Sequence, residues 1–247
     1  MCGRYVIKTP PGLMQQTFGY AEQPNFPPRY NVAPTQPIPV VRIDNGARSF
    51  ALVRWGLIPA WVKDPRGFSL LINARAESVL DKPAFRNAMR RRRCLVPADG
   101  FYEWARDGER KRPYYAAAKG PIAFAGIWEP WIGPNGEEVE TACIITTPAN
   151  RTLRPLHDRM PAVVPPEAFD FWLDCAKVDA ETAAALLVPA PEDTFEAYEI
   201  STAVNRTAND NAALIERVAP GAAEVPAAKP APARTKPKAD DRQGSLF

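Results

Sequence analysis

Apolar residues recur along this chain mostly with the short period of a β-strand and only occasionally with that of a helix. Strand-like runs occupy Ile38–Ile43, Phe50–Leu57, Ser69–Ala76, Pro113–Ala118, Ile122–Trp128, Val139–Thr147 and Phe195–Ser201, mostly bounded by Gly, Pro or Asn-Gly signals. Amphipathic helical patterns cover Lys82–Arg92, Pro166–Asp174 and Ala180–Leu187, the last with Asp179 placed as an N-cap. Strands and helices do not alternate, which argues against a parallel doubly wound sheet. The pattern predicts an α+β fold built on a largely antiparallel sheet or open barrel with a few flanking helices. From Ala219 the composition turns to Ala, Pro and Lys with almost no large apolar residues, so 219–247 reads as a disordered tail behind one domain at 1–218.

Composition narrows the class without naming an activity. No apolar stretch approaches the roughly 20 residues needed to span a bilayer, and the N-terminus lacks the apolar core of a secretion signal. A cytoplasmic protein without membrane contact is expected, associated with the nucleoid if it works on DNA, and a monomer by default. The net charge of +3 is too small to identify a nucleic-acid partner, so local clusters matter more. One such cluster, Arg90–Arg93, closes a predicted helix, where cations complement the C-terminal dipole or contact phosphate. The four cysteines form no Cys-x-x-Cys pair and the chain has a single histidine, so neither a metal site nor a cofactor is expected. Cys94, Cys143 and Cys175 sit among apolar residues and read as core filling.

Cys2 differs by position. Once Met1 is removed, its α-amine and thiol stand on adjacent carbons, and an α-amine of intrinsic pKa about 7.7–8.0 is partly neutral near pH 7. Such an amine condenses with an aldehyde to an imine, and the neighbouring thiol closes a thiazolidine ring on it, a step favoured by its intramolecularity. A thiol attacking an acyl group is the other available chemistry. Polar residues interrupt apolar surroundings at several further points. Strand alternation in Leu70–Glu77 puts Asn73, Arg75 and Glu77 on one face, either a functional face or a solvated edge carrying an Arg–Glu pair. Glu103 lies within Gly100-Phe101-Tyr102-Glu103-Trp104, where aromatic neighbours would desolvate it and favour its neutral form, unless it is an exposed strand residue. His157 adjoins Asp158 and Arg159, and imidazole is the side chain that titrates near neutrality.

Six ordered blocks carry a specific resemblance: Met1–Arg4, Arg29–Thr35, Arg54–Pro59, Ile72–Glu77, Gly100–Trp104 and His157–Pro161. Together they resemble the SRAP family of SOS response-associated peptidase-like proteins, with a weaker match to about residue 215. The resemblance implies an SRAP-like domain in which Cys2 forms a thiazolidine crosslink with the aldehyde of an abasic site in single-stranded or junction DNA, shielding it during the DNA damage response. It implies lyase-like chemistry and (auto)peptidase removal of Met1. It also implies that Asn73 holds the sugar, Glu103 manages the proton of the Cys2 amine, and His157 serves as acid or base in sugar opening and crosslink reversal. Arg4, Arg75 and Arg159 would grip phosphates, Thr147 would line the pocket, and Trp61 would stack or wedge against bases, as would Trp55 unless it is a core residue of its strand. Ser201–Asn205 resembles a further family block, in which Asn205 reads as a turn residue first and a DNA contact second.

The last residues, Gln243 to Phe247, are similar to peptides that dock on the replication sliding clamp, with Gln243, Leu246 and Phe247 as the contacts. Two other readings compete with the crosslinking one. In a thiol peptidase acting on other proteins, Cys2, His157 and Asn73 or Glu103 would form a nucleophile–base–orienter set. In a noncatalytic single-stranded DNA-binding module, the same arginines would bind damaged and intact strands alike.

Overall fold

The computed structural model describes residues 2–108 and 110–218; the tail, with Gln243, Leu246 and Phe247, lies outside the described residues. Its spine is a pair of long antiparallel strands, β6 (Arg93–Asp107) and β7 (Arg110–Ile132). One edge of β7 meets β8 (Glu138–Pro148), which runs parallel to the end of β4 (Ala47–Trp55). β4 pairs along its length with β3 (Pro37–Asp44), and β3 returns to β6 at Val41 and Leu95, so β7, β8, β4, β3 and β6 close a ring of strands. Short strands attach to it. These are β1 (Tyr5–Ile7) and β2 (Arg29–Val32) beyond β6, β5 (Asn73–Arg75) and β9 (Arg159–Pro161) on β8, and β10 (Val163–Val164) and β11 (Phe195–Glu199) on β7. All pairings between these strands are antiparallel except β4–β8 and β5–β8. The sheet-rich α+β prediction agrees with this architecture.

The apolar repeat located most of these elements but not their lengths. Pro113–Ala118 and Ile122–Trp128 belong to one strand, because Lys119, Gly120 and Pro121 form a bulge rather than a turn. Ala98 pairs with Ile122 and Gly100 with Ala117, leaving Asp99 alone opposite residues 118–121. Gly100 is required there. Its φ is +153°, and a Cβ would fall 2.4 Å from the Ala116 carbonyl oxygen. The bulge anchors β1, since the Asp99 carboxylate accepts the amides of Lys8 (2.6 Å) and Thr9 (2.9 Å) and the Thr9 hydroxyl (2.6 Å).

The helices are short. Of the Lys82–Arg92 pattern, α2 keeps Arg86–Arg91; Pro166–Asp174 becomes a 3-10 turn followed by α3 (Phe169–Leu173); and α4 covers Ala180–Ala184. Asp179 caps α4 as expected, accepting the Thr182 amide at 2.6 Å. An unpredicted helix, α1 (Pro11–Phe18), buries Met14 and Phe18 and ends at Gly19 in the left-handed region, φ 70°. Cys94 and Cys143 are buried in the core, whereas Cys175 is only partly covered and its Sγ accepts the Arg93 amide.

The arginine run divides by role. Arg90 and Arg91 are exposed, and Arg92 makes a bidentate pair with Glu129 at 2.7 and 2.8 Å. Arg93 is buried, its guanidinium donating to the carbonyls of Met89, Trp172, Asp174 and Val178 at 3.1, 2.6, 3.0 and 2.8 Å. It ties the C-terminal ends of α2 and α3 to the start of β6, where helix carbonyls lack intrahelical donors. Arg93→Met should therefore cost at least about 3 kcal/mol of stability, because buried carbonyls left without donors cost about 1–3 kcal/mol each. Arg91→Met should stay within about 0.5 kcal/mol. Urea unfolding of the two variants checks this, and equal midpoints would remove the structural role of Arg93.

Candidate active site

β1 brings Cys2 to the site. Tyr5 pairs with Phe101 and Val6 with Gly100, and the ladder continues as Tyr102 donates its amide to Arg4 O at 3.0 Å, laying residues 2–4 beside 102–104. Cys2 is fully buried and belongs to the cluster that fills the strand ring, and Tyr5 lies in the same cluster. Its carbonyl accepts from Asn73 Nδ2 at 2.9 Å, so β5, hydrogen-bonded to β8 at Ile144, grips the N-terminal segment directly. The other amide atom, Asn73 Oδ1, is buried without a hydrogen-bond partner, as is Tyr5 Oη.

Glu103 is 5% exposed, and burial raises its carboxyl above the ordinary range, opposed by the field of His157. The desolvation expected from flanking aromatics is present with a different origin. Tyr102 and Trp104 pack in a separate cluster with Val6, Ile200 and Val204, and of the three only Phe101 joins the ring cluster. Burial, reinforced by the charge of Glu103, also drives the Cys2 thiol far above its usual pKa. Cys2, Glu103 and Asn73 are thus brought together, with His157 within electrostatic reach of Glu103.

His157 sits in the turn after Leu153, whose carbonyl accepts the His157 amide at 3.2 Å. Its Nδ1 lies 2.9 Å from the Arg159 amide and 2.8 Å from the Asp158 carboxylate. One nitrogen cannot accept from the first and donate to the second. The backbone amide can only donate, so Nδ1 is the acceptor and Nε2 carries the proton, while Asp158, 84% exposed, is solvated. Thr147 is buried at the end of β8 beside this turn.

The expected DNA contacts fare differently. Arg75 is exposed at the end of β5. Arg159 is already engaged, its guanidinium pairing with both oxygens of Glu77 at 2.5 and 2.9 Å and donating to Thr146 O at 2.5 Å. Glu77 therefore pairs with Arg159 rather than with Arg75, and that contact holds its carboxyl below the usual range. Trp61 is 59% exposed and meets Phe68 edge-on at 5.6 Å. Trp55 is a correction: it is fully buried, its Nε1 donating to Ile72 O at 3.0 Å and its ring packed edge-on against Tyr5, so it presents no face for stacking. Alternating apolar residues in β4 could not distinguish a wedge from a core ring. Asp99 escaped sequence reasoning altogether; its signal was the Asp-Gly step before Phe101.

Among the described residues, no three or more His, Cys, Asp or Glu side chains come together as metal ligands would, and no helix is long and apolar enough to cross a membrane.

The family model described as SOS response associated peptidase (SRAP) matches residues 1–207. The chain belongs to this family. YoqW of Bacillus subtilis (strain 168), named an abasic site processing protein, is 38% identical over 222 residues, covering 87% of this chain and 99% of its own. HMCES of Xenopus tropicalis, named likewise, is 30% identical over 257 aligned positions, covering 85% of this chain and 76% of its own. A solved structure from Bacteroides thetaiotaomicron superposes with a TM-score of 0.78 at 28% identity, covering 88% of this chain and all of that one. The SRAP match spans Cys2, Asn73, Glu103 and His157, the residues that β1, β5, β6 and the turn before β9 supply.

Proposed function

We propose that this SRAP protein processes abasic sites by forming a thiazolidine between Cys2, freed of Met1, and the ring-opened aldehyde of an abasic site in single-stranded DNA. The observation that carries the reading is the grip of Asn73 on the Cys2 backbone beside a desolvated Glu103, in a chain whose relatives are named for abasic-site processing.

The steps follow from the groups present. Hydrolysis of the Met1–Cys2 bond consumes one water and leaves the Cys2 α-amine. Glu103 takes a proton from the α-ammonium, and the neutral amine adds to C1′ of the open sugar to give a carbinolamine. Glu103 then returns its proton to the carbinolamine hydroxyl, which leaves as water and produces an iminium. The Cys2 sulfur bonds to the iminium carbon while its proton passes to the Glu103 carboxylate, closing the ring with net loss of one water. His157 donates a hydrogen bond to O4′ through Nε2–H as the C1′ hydroxyl proton passes to O4′, opening the sugar with no net gain or loss of a proton, and assists the reverse step. Asn73 Oδ1 is an acceptor left over for a sugar hydroxyl. Arg4, Arg75 and Arg159 hold flanking phosphates, the last by exchanging Glu77 for a phosphate oxygen, and Trp61 stacks on a base.

A general thiol peptidase is the weaker reading, because a burial-raised thiol is the reverse of the thiolate such an enzyme requires. Intact mass after mixing full-length protein with an abasic oligonucleotide tests the proposal. The expected species is the sum of the chain without Met1 and the DNA, minus one water. Equal retention of abasic and intact strands without this species would indicate a binding module, and turnover of an unrelated peptide a protease.

A further inference from the structure

Arg4 lies two residues from Cys2, yet its side chain works on the opposite side of β1 from Tyr5. There the segment after β11, residues 200–218, crosses the outside of β1, β2 and β6, with Ile200, Val204 and Leu214 packed against Val6, Tyr102 and Tyr115. Arg4 Nη1 donates to Asn31 Oδ1 at 2.8 Å and to Val204 O at 3.0 Å, and its guanidinium carbon stands 6.0 Å from the centre of the Trp104 ring. Trp104 is itself fixed, donating from Nε1 to Asn205 Oδ1 at 2.7 Å.

Asn31 is fully buried on β2. Its Nδ2 faces three carbonyl oxygens, those of Val204, Arg206 and Asn209, at 3.2, 3.1 and 2.8 Å. Its backbone amide and that of Tyr30 donate to Asp210 Oδ1, and Arg29 Nε donates to Asp210 Oδ2. Three carbonyls around one side of the amide leave a single satisfied orientation: Nδ2 must face them, so Oδ1 must face Arg4. The amide cannot flip, and one end of the guanidinium is consumed by Asn31 and Val204.

We infer that Asn31, clamped by the 204–210 segment, is a positioning residue that presents the remaining guanidinium donors of Arg4 to a phosphate of the bound strand. The inference rests on the DNA-processing reading given above. An arginine held at one edge and along one face loses little side-chain freedom on gripping a phosphate, and its planar fork stays available on the other edge.

The test measures binding of a fluorescent oligothymidine to the full chain across a salt series, for wild type, Arg4→Ala, Asn31→Ala, Asn31→Ser and the double variant Arg4→Ala/Asn31→Ala. Losing one phosphate contact lowers the slope of log affinity against log salt by about 0.7 and weakens binding about fivefold near 0.1 M salt. Arg4→Ala and each Asn31 variant should show this same change, and the double variant should bind no more weakly than Arg4→Ala. Asn31→Ser, which keeps a hydroxyl in the clamp, supplies the result if Asn31→Ala does not fold. An altered slope for Arg4→Ala with a wild-type slope for the Asn31 variants overturns the positioning role while leaving Arg4 as a DNA contact. An Asn31 effect that persists in full on the Arg4→Ala background overturns it too. A wild-type slope for Arg4→Ala itself overturns the phosphate contact of Arg4, and the inference with it.

Discussion

Cys2→Ser should form an adduct with abasic DNA that survives denaturation only after borohydride reduction, and Cys2→Ala should behave in the same way. Both variants keep an N-terminal α-amine once Met1 is removed, so both can still reach the imine. Neither has the thiol that closes the ring. The wild-type adduct is expected to survive heat without reduction, because the imine carbon is captured by a sulfur held on the adjacent carbon, a step whose effective concentration reaches about 10⁵ M or more in well-oriented cases. Removing that step should lower the unreduced, heat-stable adduct at least about a hundredfold. Gel mobility and intact mass, with and without borohydride, read the outcome. A heat-stable adduct from Cys2→Ala equal to wild type would show that the thiol takes no part in the bond. Complete absence of the reducible adduct from both variants would mean that the amine does not act first.

Burial gives this prediction its mechanistic edge. The Cys2 thiol is held neutral by the ring interior and by Glu103, so it is poorly suited to open the reaction as a thiolate. The amine can do so instead, and the thiol then needs only to add to a carbon already activated as an imine. In the proposed reaction, the order of attack would follow from desolvation rather than from spacing.

The fold class was legible in the sequence, and the candidate site residues were visible there for a different reason. Asn73 and Glu103 stood out because each interrupts an apolar stretch, and a polar residue that the core does not want is visible without coordinates, whereas His157 stood out as the single imidazole of the chain, adjoining Asp158 and Arg159. Trp55 stayed ambiguous between core and base contact for the complementary reason. An aromatic residue in an apolar strand looks the same whether its partner is a base or, as here, the ring of Tyr5. The paired arginines were illegible in the same sense. Arg93 reads as part of a basic run, and only the convergence of carbonyls from α2, α3 and the loop before α4 makes it a buried tie. Local signals also divided β7 in two, because Gly120-Pro121 marks a turn in isolation, whereas pairing with β6 on both sides turns it into a bulge. β1 and β2, at three and four residues, are too short to show a period at all. α1 could have been found, since Pro11 at its first position and Gly19 just beyond its end are the ordinary boundary signals of a helix.

Glu103→Gln should move rate and stability in opposite directions. Glutamine cannot take the ammonium proton or return one to the carbinolamine, and general acid–base catalysis by a placed group contributes about 10²–10⁴-fold, so crosslinking should slow by that factor near pH 7. Stability responds through the raised carboxyl. In the folded chain burial keeps the Glu103 proton bound at a pH where the unfolded chain, titrating at about 4.3, has released it. The contribution of this proton is therefore fully present below the ordinary carboxyl range and is lost as pH rises through the folded value, where a charge must be held in a desolvated site. Glutamine is neutral throughout. The variant should accordingly match wild type near pH 4 and unfold at higher denaturant as the pH is raised toward 7, a gap read from urea midpoints across the series. A Glu103→Gln chain less stable than wild type at pH 7 would show that the carboxylate is a structural asset. A slower reaction in a more stable protein would instead mark Glu103 as a group retained, against the preference of the core, for the proton it moves.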